Sequence, residues 1–257
     1  MPRGGLWMTT LLLLTGCPDE PARVEPQPGK TLPTLDLGWI SLRDHFVQTV
    51  GPSSGRGQPL SDLLVLADAT LAPRSSFPLH PHQEMEILTW VSSGTLLHRD
   101  SQGREEEVPA GGLQLMSARD GLRHAEGNRR DEPVRLLQIW LSPSQHGGPP
   151  LFEVARPPPG ATGFTLLAGP TEAPLLLRQD ARLWVARLKA SERATLSLPK
   201  ERVGYGVVVG GSARWNGVHM EDGDGLRLSP GPHSVVADGS VDVLFFDLRP
   251  SSSTAHR

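Results

Sequence analysis

Turn-forming residues punctuate this chain at short intervals, and this spacing limits the possible folds more than any other feature. From about residue 85 onward, short apolar segments alternate with turns such as Ser92-Ser93-Gly94, Asp100-Ser101-Gln102-Gly103 and Asn216-Gly217. Asn-Gly is a strong signal for a two-residue hairpin. Glycine (28) and proline (25) are abundant, while aromatic residues make up only 5% of the chain. Strands separated by turns at a spacing of roughly 8 to 12 residues predict an all-β sandwich or barrel.

The apolar segments fall into two groups, which predicts two domains. Prolines at 149–150 and 157–159 mark the connection between them. In the first group we predict initial strands within residues 35–50, followed by strands at 63–67, 85–91, 95–98, 106–108, 113–117 and 134–141. In the second group we predict strands at 181–188, 194–198, 205–209, 213–215, 226–228, 234–237 and 241–248. A chain of 257 residues is long enough for two domains of ordinary size.

Two pairs of possible metal ligands lie in the first group. His80 and His82 form one pair, and His124 and Glu126 form the other; each pair is spaced i, i+2. Residues i and i+2 of an extended strand point to the same face, so each pair can direct two ligands to one point. Histidines combined with a carboxylate are typical of non-haem iron(II) sites. The spacing favours a metal site. By itself it does not exclude that the two pairs are surface residues that bind no metal.

The same segment resembles the N-terminal cupin motifs of the pirin family. The family pattern reads H-P-H-x-x-x-E, then H-x-D-S-x-G, then G-I-x-H-S-E; this chain has HPHQEME from His80, HRDSQG, and GLRHAEGN around His124. The resemblance covers most of the chain from Gly38 onward. It implies an all-β fold of two cupin barrels (double-stranded β-helix, or jelly-roll, barrels) packed together. It also implies that His80, His82, His124 and Glu126 hold the metal and that the C-terminal cupin has lost its metal.

The resemblance also implies an activity. Several pirins have quercetin 2,3-dioxygenase activity, which implies a small aromatic substrate such as a flavonol, and O2. Iron(II) is the expected metal; zinc, nickel, copper, manganese and cobalt remain alternatives, because the affinity order of divalent metals does not favour iron. Glu126 is the expected catalytic residue, both ligand and base for the substrate hydroxyl. Two other functions stay open: a membrane-tethered metal-binding or redox-sensing module without turnover, and a metal-free scaffold.

Glu86 is the alternative carboxylate ligand. It shares strand parity with His80 and His82 if the strand runs straight. Many cupins outside the pirin family take their metal carboxylate from this position. We interpret Glu86 as a residue that orients a ligand histidine through the free ring nitrogen. His98 also matches the family pattern, but we interpret it as a hairpin residue rather than a ligand.

Three further histidines and the acidic turn do not indicate further sites. His45, His219 and His233 have no partner at ligand spacing, so we interpret them as structural residues. The stretch Asp222-Gly223-Asp224-Gly225 lacks the acidic spacing of an EF-hand and predicts a turn rather than a calcium site. We expect the C-terminal domain to cover an edge of the first barrel and to narrow the mouth of its pocket.

The N-terminus resembles the signal peptide of a bacterial lipoprotein. Arg3 is followed by a nine-residue apolar run at 6–14 and then by Leu-Thr-Gly-Cys, ending at Cys17. This run is too short to cross the roughly 30 Å core of a bilayer as a helix. The resemblance implies that Cys17 is lipidated and that the chain is exported and anchored to a membrane of the cell envelope. The alternatives are a plain signal peptide and a chance apolar leader that follows a wrongly assigned start codon.

The predicted organisation is therefore a signal peptide (1–17), a proline-rich tether (18–36), a metal-binding cupin domain (37–150), a linker (151–170) and a degenerate cupin domain (171–257). The 25 basic and 28 acidic residues give a net charge of −3, with no basic patch that would indicate nucleic-acid binding. A single cysteine excludes an intrachain disulfide. We expect a monomer.

Overall fold

The computed structural model describes residues 22–250, whose regular structure is β-strand apart from one 3-10 helix, Gly29–Thr31. The predicted all-β class is confirmed. The strands are β1 (Val24–Gln27), β2 (Thr34–Asp36), β3 (Ile40–Asp44), β4 (Leu63–Leu71), β5 (His80–His82), β6 (Glu86–Ser93), β7 (Thr95–Asp100), β8 (Glu105–Pro109), β9 (Leu113–Ser117), β10 (Leu122–Gly127), β11 (Val134–Leu141), β12 (Leu151–Ala155), β13 (Thr165–Gly169), β14 (Leu175–Leu176), β15 (Ala181–Leu188), β16 (Arg193–Leu198), β17 (Val203–Val209), β18 (Ala213–Trp215), β19 (Val218–Met220), β20 (Gly225–Leu228), β21 (Gly231–Ala237) and β22 (Val241–Leu248).

The strands form two barrels of the same design, each with a seven-stranded sheet packed on a four-stranded sheet. The N-terminal barrel has the order β12-β9-β6-β11-β4-β3-β2 in its large sheet and β5-β10-β7-β8 in its small sheet. The C-terminal barrel has β1-β20-β17-β22-β15-β13-β14 and β16-β21-β18-β19. This architecture confirms the prediction of two jelly-roll barrels packed together.

The two large sheets pack face to face because their central strands are apolar on both sides. On β22, Phe245 belongs to the core of the C-terminal barrel, whereas Phe246 belongs to the layer between the barrels. On β11, Leu136 packs inside the N-terminal barrel and Leu137 in that same layer. Successive side chains of a strand point to opposite faces, so each strand serves two cores. The expectation that the C-terminal domain covers a barrel edge is therefore wrong, since it covers a sheet face.

Ion pairs connect the barrels at the rim of this layer. Arg135 on β11 donates to Asp68 on β4 from Nε (2.9 Å) and Nη2 (2.7 Å), and to Asp222 of the other barrel from Nη1 (2.9 Å) and Nη2 (2.8 Å). Asp222 also accepts a hydrogen bond from the Gly210 backbone N–H (2.8 Å). The first carboxylate of the acidic turn, Asp222, thus accepts hydrogen bonds from Arg135 and from the backbone of Gly210.

The prediction of a tether over residues 18–36 is wrong for much of this segment, because two parts of it form paired strands. Val24–Gln27 forms β1, which pairs with β20 at the edge of the C-terminal barrel. Thr34–Asp36 forms β2, which pairs with β3 at the edge of the N-terminal barrel. An unpaired edge strand leaves backbone groups free to pair, and an edge position also tolerates a proline such as Pro26.

The predicted signal peptide with Cys17 and the first part of the predicted tether lie outside the described residues. Within residues 22–250, no helix has the length and apolarity needed to cross a membrane.

The predicted linker also contains strands. Leu151–Ala155 extends the N-terminal barrel by pairing with β9, and Thr165–Gly169 pairs with β15 in the C-terminal barrel. The connection between the barrels is therefore limited to residues 156–164. These nine residues include the three consecutive prolines at 157–159.

The predicted hairpin at Asn216-Gly217 is confirmed. These residues join β18 to β19. Their φ angles are 47° and 84°, respectively. Both residues are thus in the left-handed region that a two-residue hairpin turn requires.

Candidate metal centre

The small sheet of the N-terminal barrel positions the predicted ligands. His80 and His82 are the ends of β5, and His124 and Glu126 lie on the neighbouring strand β10. Register places His124 directly opposite His80. The ligand nitrogens of His80, His82 and His124 lie within 4.8 Å of one another. The structure therefore brings three of the four predicted ligands together around one point, with Glu126 farther along β10.

The histidines are suited to bind a cation. Burial, followed by the neighbouring histidines, lowers the pKa of His124 to about 2. Burial and His80 lower the pKa of His82 to about 4. Both rings are therefore neutral near pH 7 and keep a lone pair. His80 Nδ1 lies 2.8 Å from the carbonyl oxygen of Pro78, which accepts a hydrogen bond from an Nδ1–H tautomer and leaves Nε2 for a metal.

Unpartnered ring nitrogens provide a test of whether a metal fits. Within residues 22–250, Nε2 of His82 and both ring nitrogens of His124 are buried without a hydrogen-bond partner. Buried polar atoms without a partner are rare, because each one loses its hydration without compensation. A divalent metal among these nitrogens would supply a partner for Nε2 of His82 and for one ring nitrogen of His124. The donor set therefore fits a metal ion.

Glu126 is a buried carboxylate with neutral hydrogen-bond partners. Its Oε1 accepts hydrogen bonds from Thr89 Oγ1 (3.1 Å) and from the side-chain amide of Gln114. Burial raises the pKa of Glu126 to about 7, although hydrogen bonds from Thr89, Gln114 and Gln138 oppose the increase. Its carboxylate atoms group with the ring nitrogens of His98 and His124 rather than with His80 and His82.

Glu86 does not orient a ligand histidine. It is buried and accepts hydrogen bonds from the Ser117 hydroxyl and from the Arg178 backbone N–H (3.2 Å). The parity argument fails because the chain turns between β5 and β6, with Glu84 at a φ of 48°, and these two strands belong to different sheets. Glu86 belongs to neither group of candidate ligands in residues 22–250.

His98 lies much nearer the site than the interpretation as a hairpin residue suggested. It is fully buried on β7, directly opposite Glu126. Its ring lies 5.5 Å from the ring of His124, measured between centroids. His98 is therefore a residue of the β7–β8 hairpin that also borders the site.

A cavity of about 260 Å³ lies beside the cluster and is lined by the N-terminal barrel. His80 and Glu126 form part of its wall, and Gln138 adds an amide. Most of the other lining side chains are apolar, among them Phe77 and Trp140. An apolar cavity with a few convergent polar groups is typical of a small-molecule site. Because the C-terminal barrel contributes no lining residue, the expectation that it narrows this pocket is wrong.

Comparison with known proteins identifies the family. Residues 30–141 match the Pirin family, and residues 166–248 match the quercetinase C-terminal cupin domain. The pirin-like protein of Caulobacter vibrioides is 36% identical over 210 residues, which are 80% of this chain and 90% of the relative. The chain belongs to the pirin family. The quercetin 2,3-dioxygenase of Escherichia coli K12 is 38% identical over 194 residues, 74% of this pirin and 84% of the relative.

Solved structures agree with this assignment. The bacterial pirin YhhW of Escherichia coli in complex with nickel(II) superposes with a TM-score of 0.79 at 32% identity. The superposition covers 89% of this chain and all of the other. This pirin is thus a metal-binding cupin by family, with its histidine cluster in the N-terminal barrel.

The polar residues around Glu126 in this pirin were not predicted from the sequence. Thr89 on β6 lies between its register partners Gln114 on β9 and Gln138 on β11. Each is flanked on both sides by apolar residues, in the stretches ILTWV, LQLM and LLQIW. A polar residue in a buried strand needs a partner. That signal was present in the sequence, although the partner could not be identified from it.

The other described histidines belong to neither group of candidate ligands. His45 Nδ1 is 2.8 Å from the hydroxyl of Tyr205, and His233 Nε2 is 2.9 Å from the backbone oxygen of Ser229. His219 lies 3.3 Å from Asp238. Their contacts agree with structural roles.

Proposed function

We propose that this pirin is an iron(II)-dependent dioxygenase acting on quercetin-like flavonols or related planar phenols. The observation that carries the proposal is the apolar cavity lined by His80 of the histidine cluster and by the buried carboxylate of Glu126. Relatives named quercetin 2,3-dioxygenase support the substrate class. A pirin solved with nickel(II) supports metal binding, and leaves nickel as well as zinc, copper, manganese and cobalt as alternatives to iron.

The cavity suits a flat apolar molecule that carries few polar groups. Its volume of about 260 Å³ is slightly below the ~300–1,000 Å³ that is typical of sites for drug-sized ligands. A flavonol would therefore leave part of its ring system in the mouth of the pocket, whereas a smaller phenol would fit within it. Phe77 and Trp140 provide aromatic surface against which a planar ring can pack.

The metal, the carboxylate of Glu126 and the apolar wall of the cavity each have a separate role in the proposed reaction. When bound, iron(II) supplies a Lewis-acidic, redox-active centre with open coordination positions. Glu126 takes the proton of the substrate hydroxyl, because it is the carboxylate that lines the cavity. Thr89 and Gln114 hold Oε1 of Glu126, which leaves Oε2 for the metal or the proton. The apolar wall excludes water from the activated substrate.

The test combines metal analysis with oxygen consumption. We expect the full-length chain, reconstituted with iron(II), to hold about one iron and to consume oxygen with quercetin. We expect His80→Ala and His124→Ala to lose iron and oxygen uptake, because they remove ligands. His219→Ala is the matched control, since His219 is half-exposed and belongs to neither candidate ligand group.

Two results would redirect the proposal. Bound metal without oxygen uptake on any planar phenol would indicate the metal-binding or redox-sensing module instead. Unchanged iron content in both histidine variants would refute the ligand assignment.

We also propose that the chain is an exported lipoprotein, anchored to a membrane of the bacterial cell envelope through Cys17. Support comes from the apolar run at 6–14 and the Leu-Thr-Gly-Cys sequence. The expected result is incorporation of labelled fatty acid and recovery in the membrane fraction, both lost in Cys17→Ser. Equal membrane recovery of both proteins would contradict the lipid anchor.

A further inference from the structure

Gln138 contributes an amide group to the wall of the cavity. It lies on β11 between Leu136 and Trp140, and all three side chains line the cavity because alternate residues of a strand share a face. Within residues 22–250, no other residue of the cavity wall has a side-chain amide. Gln138 is partly exposed rather than fully buried. Its amide can therefore contact a molecule in the cavity.

Hydrogen bonds behind the wall determine which end of this amide is a free donor. Nε2 of Gln114 donates to Oγ1 of Thr89 over 3.1 Å. The single hydroxyl proton of Thr89 is directed to Oε1 of Gln138 (2.9 Å) and, over a longer distance, to Oε1 of Glu126 (3.1 Å). Because Oε1 of Gln138 is the acceptor in this chain of hydrogen bonds, Nε2 at the other end of the amide remains a donor.

This donor lies beside the carboxylate of Glu126. Gln138 donates a side-chain hydrogen bond to Glu126, and both residues line the cavity. An amide nitrogen carries two N–H groups, so one of them remains for a bound molecule. A carboxylate accepts hydrogen bonds and an amide nitrogen donates them. The two groups side by side therefore match a molecule with a hydroxyl and an acceptor oxygen on neighbouring atoms.

Gln114 shows that a glutamine near Glu126 is not by itself a substrate contact. It is fully buried and does not line the cavity. Its Nε2 donates to Glu126 and to Thr89, so its donors are used within the protein. Gln138 differs because its amide is held by Thr89 on one side and faces the cavity on the other.

We propose that Gln138 determines substrate specificity by donating a hydrogen bond from Nε2 to an acceptor oxygen next to the hydroxyl that Glu126 deprotonates. The inference rests on the role of Glu126 in the proposed function and narrows the substrate class to planar molecules with a carbonyl beside the reacting hydroxyl. A substrate without that carbonyl leaves the amide unpaired in an apolar cavity. A site with an unpaired buried donor discriminates strongly against such a molecule.

The test compares two isomers of the same size and flatness. The hydroxyl of 3-hydroxyflavone is next to the carbonyl, whereas that of 7-hydroxyflavone is on the far side of the ring system. Fluorescence titration of the zinc-loaded, full-length chain measures both dissociation constants, because zinc has no redox chemistry and the bound molecule is not consumed. The measured quantity is the ratio of the two constants in each variant, since the metal contributes alike to wild type and variant.

Gln138→Met removes the amide and keeps the length of the side chain. It is expected to weaken binding of 3-hydroxyflavone about 10-fold and to change binding of 7-hydroxyflavone less than about twofold. Gln102→Met, the same change at an exposed turn, is the control and leaves both constants unchanged. If Gln138→Met fails to fold, Thr89→Val replaces it, because loss of the hydroxyl that holds Oε1 of Gln138 should lower the same ratio.

Three results overturn the proposal. The first is an unchanged ratio in Gln138→Met, or in Thr89→Val where that variant replaces it. The second is equal weakening of both isomers, which would mean that the substitution disturbs the pocket rather than a contact to the carbonyl. The third is a wild type that binds neither isomer.

The same measurements separate this role from the proposed reaction. Discrimination between the isomers as expected, but without oxygen uptake by the iron-loaded chain, refutes the dioxygenase and leaves the role of Gln138 intact. Oxygen uptake together with an unchanged ratio refutes the role of Gln138 and leaves the dioxygenase intact.

Discussion

The carboxyl group of Glu126 is expected to destabilise the metal-free protein at high pH. Its pKa of about 7 in the folded state lies above the ordinary value of 4.5 because the group is buried. Between these two pH values, the unfolded chain has released the proton and the folded chain retains it, so the free energy of unfolding decreases as pH rises. The two pKa values differ by about 2.5, and each unit corresponds to about 1.4 kcal/mol, which gives a loss of about 3 kcal/mol.

The variant Glu126→Gln removes this titration and keeps the shape of the side chain. The stability of the variant relative to the wild type should therefore increase by about 3 kcal/mol between pH 4.5 and pH 8. Denaturant unfolding of the metal-free proteins at both pH values measures the difference. Histidine titrations occur in both proteins and cancel. Glu153→Gln, at an exposed position of β12, is the control for losing a carboxylate.

A relative stability that is the same at both pH values would refute the argument, because it would mean that the folded protein does not retain the proton. Metal provides a second comparison. A bound cation stabilises the ionised carboxylate, so added metal should raise the unfolding temperature of the wild type more than that of Glu126→Gln at pH 8.

Three further predictions concern the contact between the barrels, each measured by denaturant unfolding. Arg135→Met should cost about 2–3 kcal/mol, because it leaves the buried carboxylate of Asp68 without its main partner; no change would mean that this pair contributes nothing. Leu137→Ala should cost about 2–5 kcal/mol by opening a cavity in the layer between the barrels, and a loss below 1 kcal/mol would contradict tight packing there. Tyr205→Phe should cost about 1–2 kcal/mol by removing the hydroxyl next to His45, while an equally stable variant would show that this buried hydrogen bond is dispensable.

Glu86 and His98 show where reasoning from the sequence fails. Parity along residues 80–86 is informative only while the chain stays in one strand, and here it turns at Glu84 into a strand of another sheet. His98 precedes His124 by 26 positions and carries no spacing signal toward it. Only the pairing of β7 with β10 places His98 opposite Glu126.

The prediction of a tether was wrong for residues 24–27 and 34–36 for a related reason. A polar, proline-rich segment lacks the apolar pattern of a buried strand, so the sequence indicates an extended linker. An edge strand needs little burial, since its backbone hydrogen bonds to β20 hold it in place. Whether an edge is open for pairing is a property of the folded sheet.

The sequence by itself determined most of the strands, the main turns and the two i, i+2 pairs of candidate ligands, because each depends on residues close together in the chain. Tertiary structure alone decided which strands became neighbours. It brought His98 to the side of Glu126, surrounded that carboxylate with Thr89 and Gln114, and stacked the two large sheets face to face. These contacts depend on strand register and sheet packing, which are settled only when apolar faces distant in sequence bury one another.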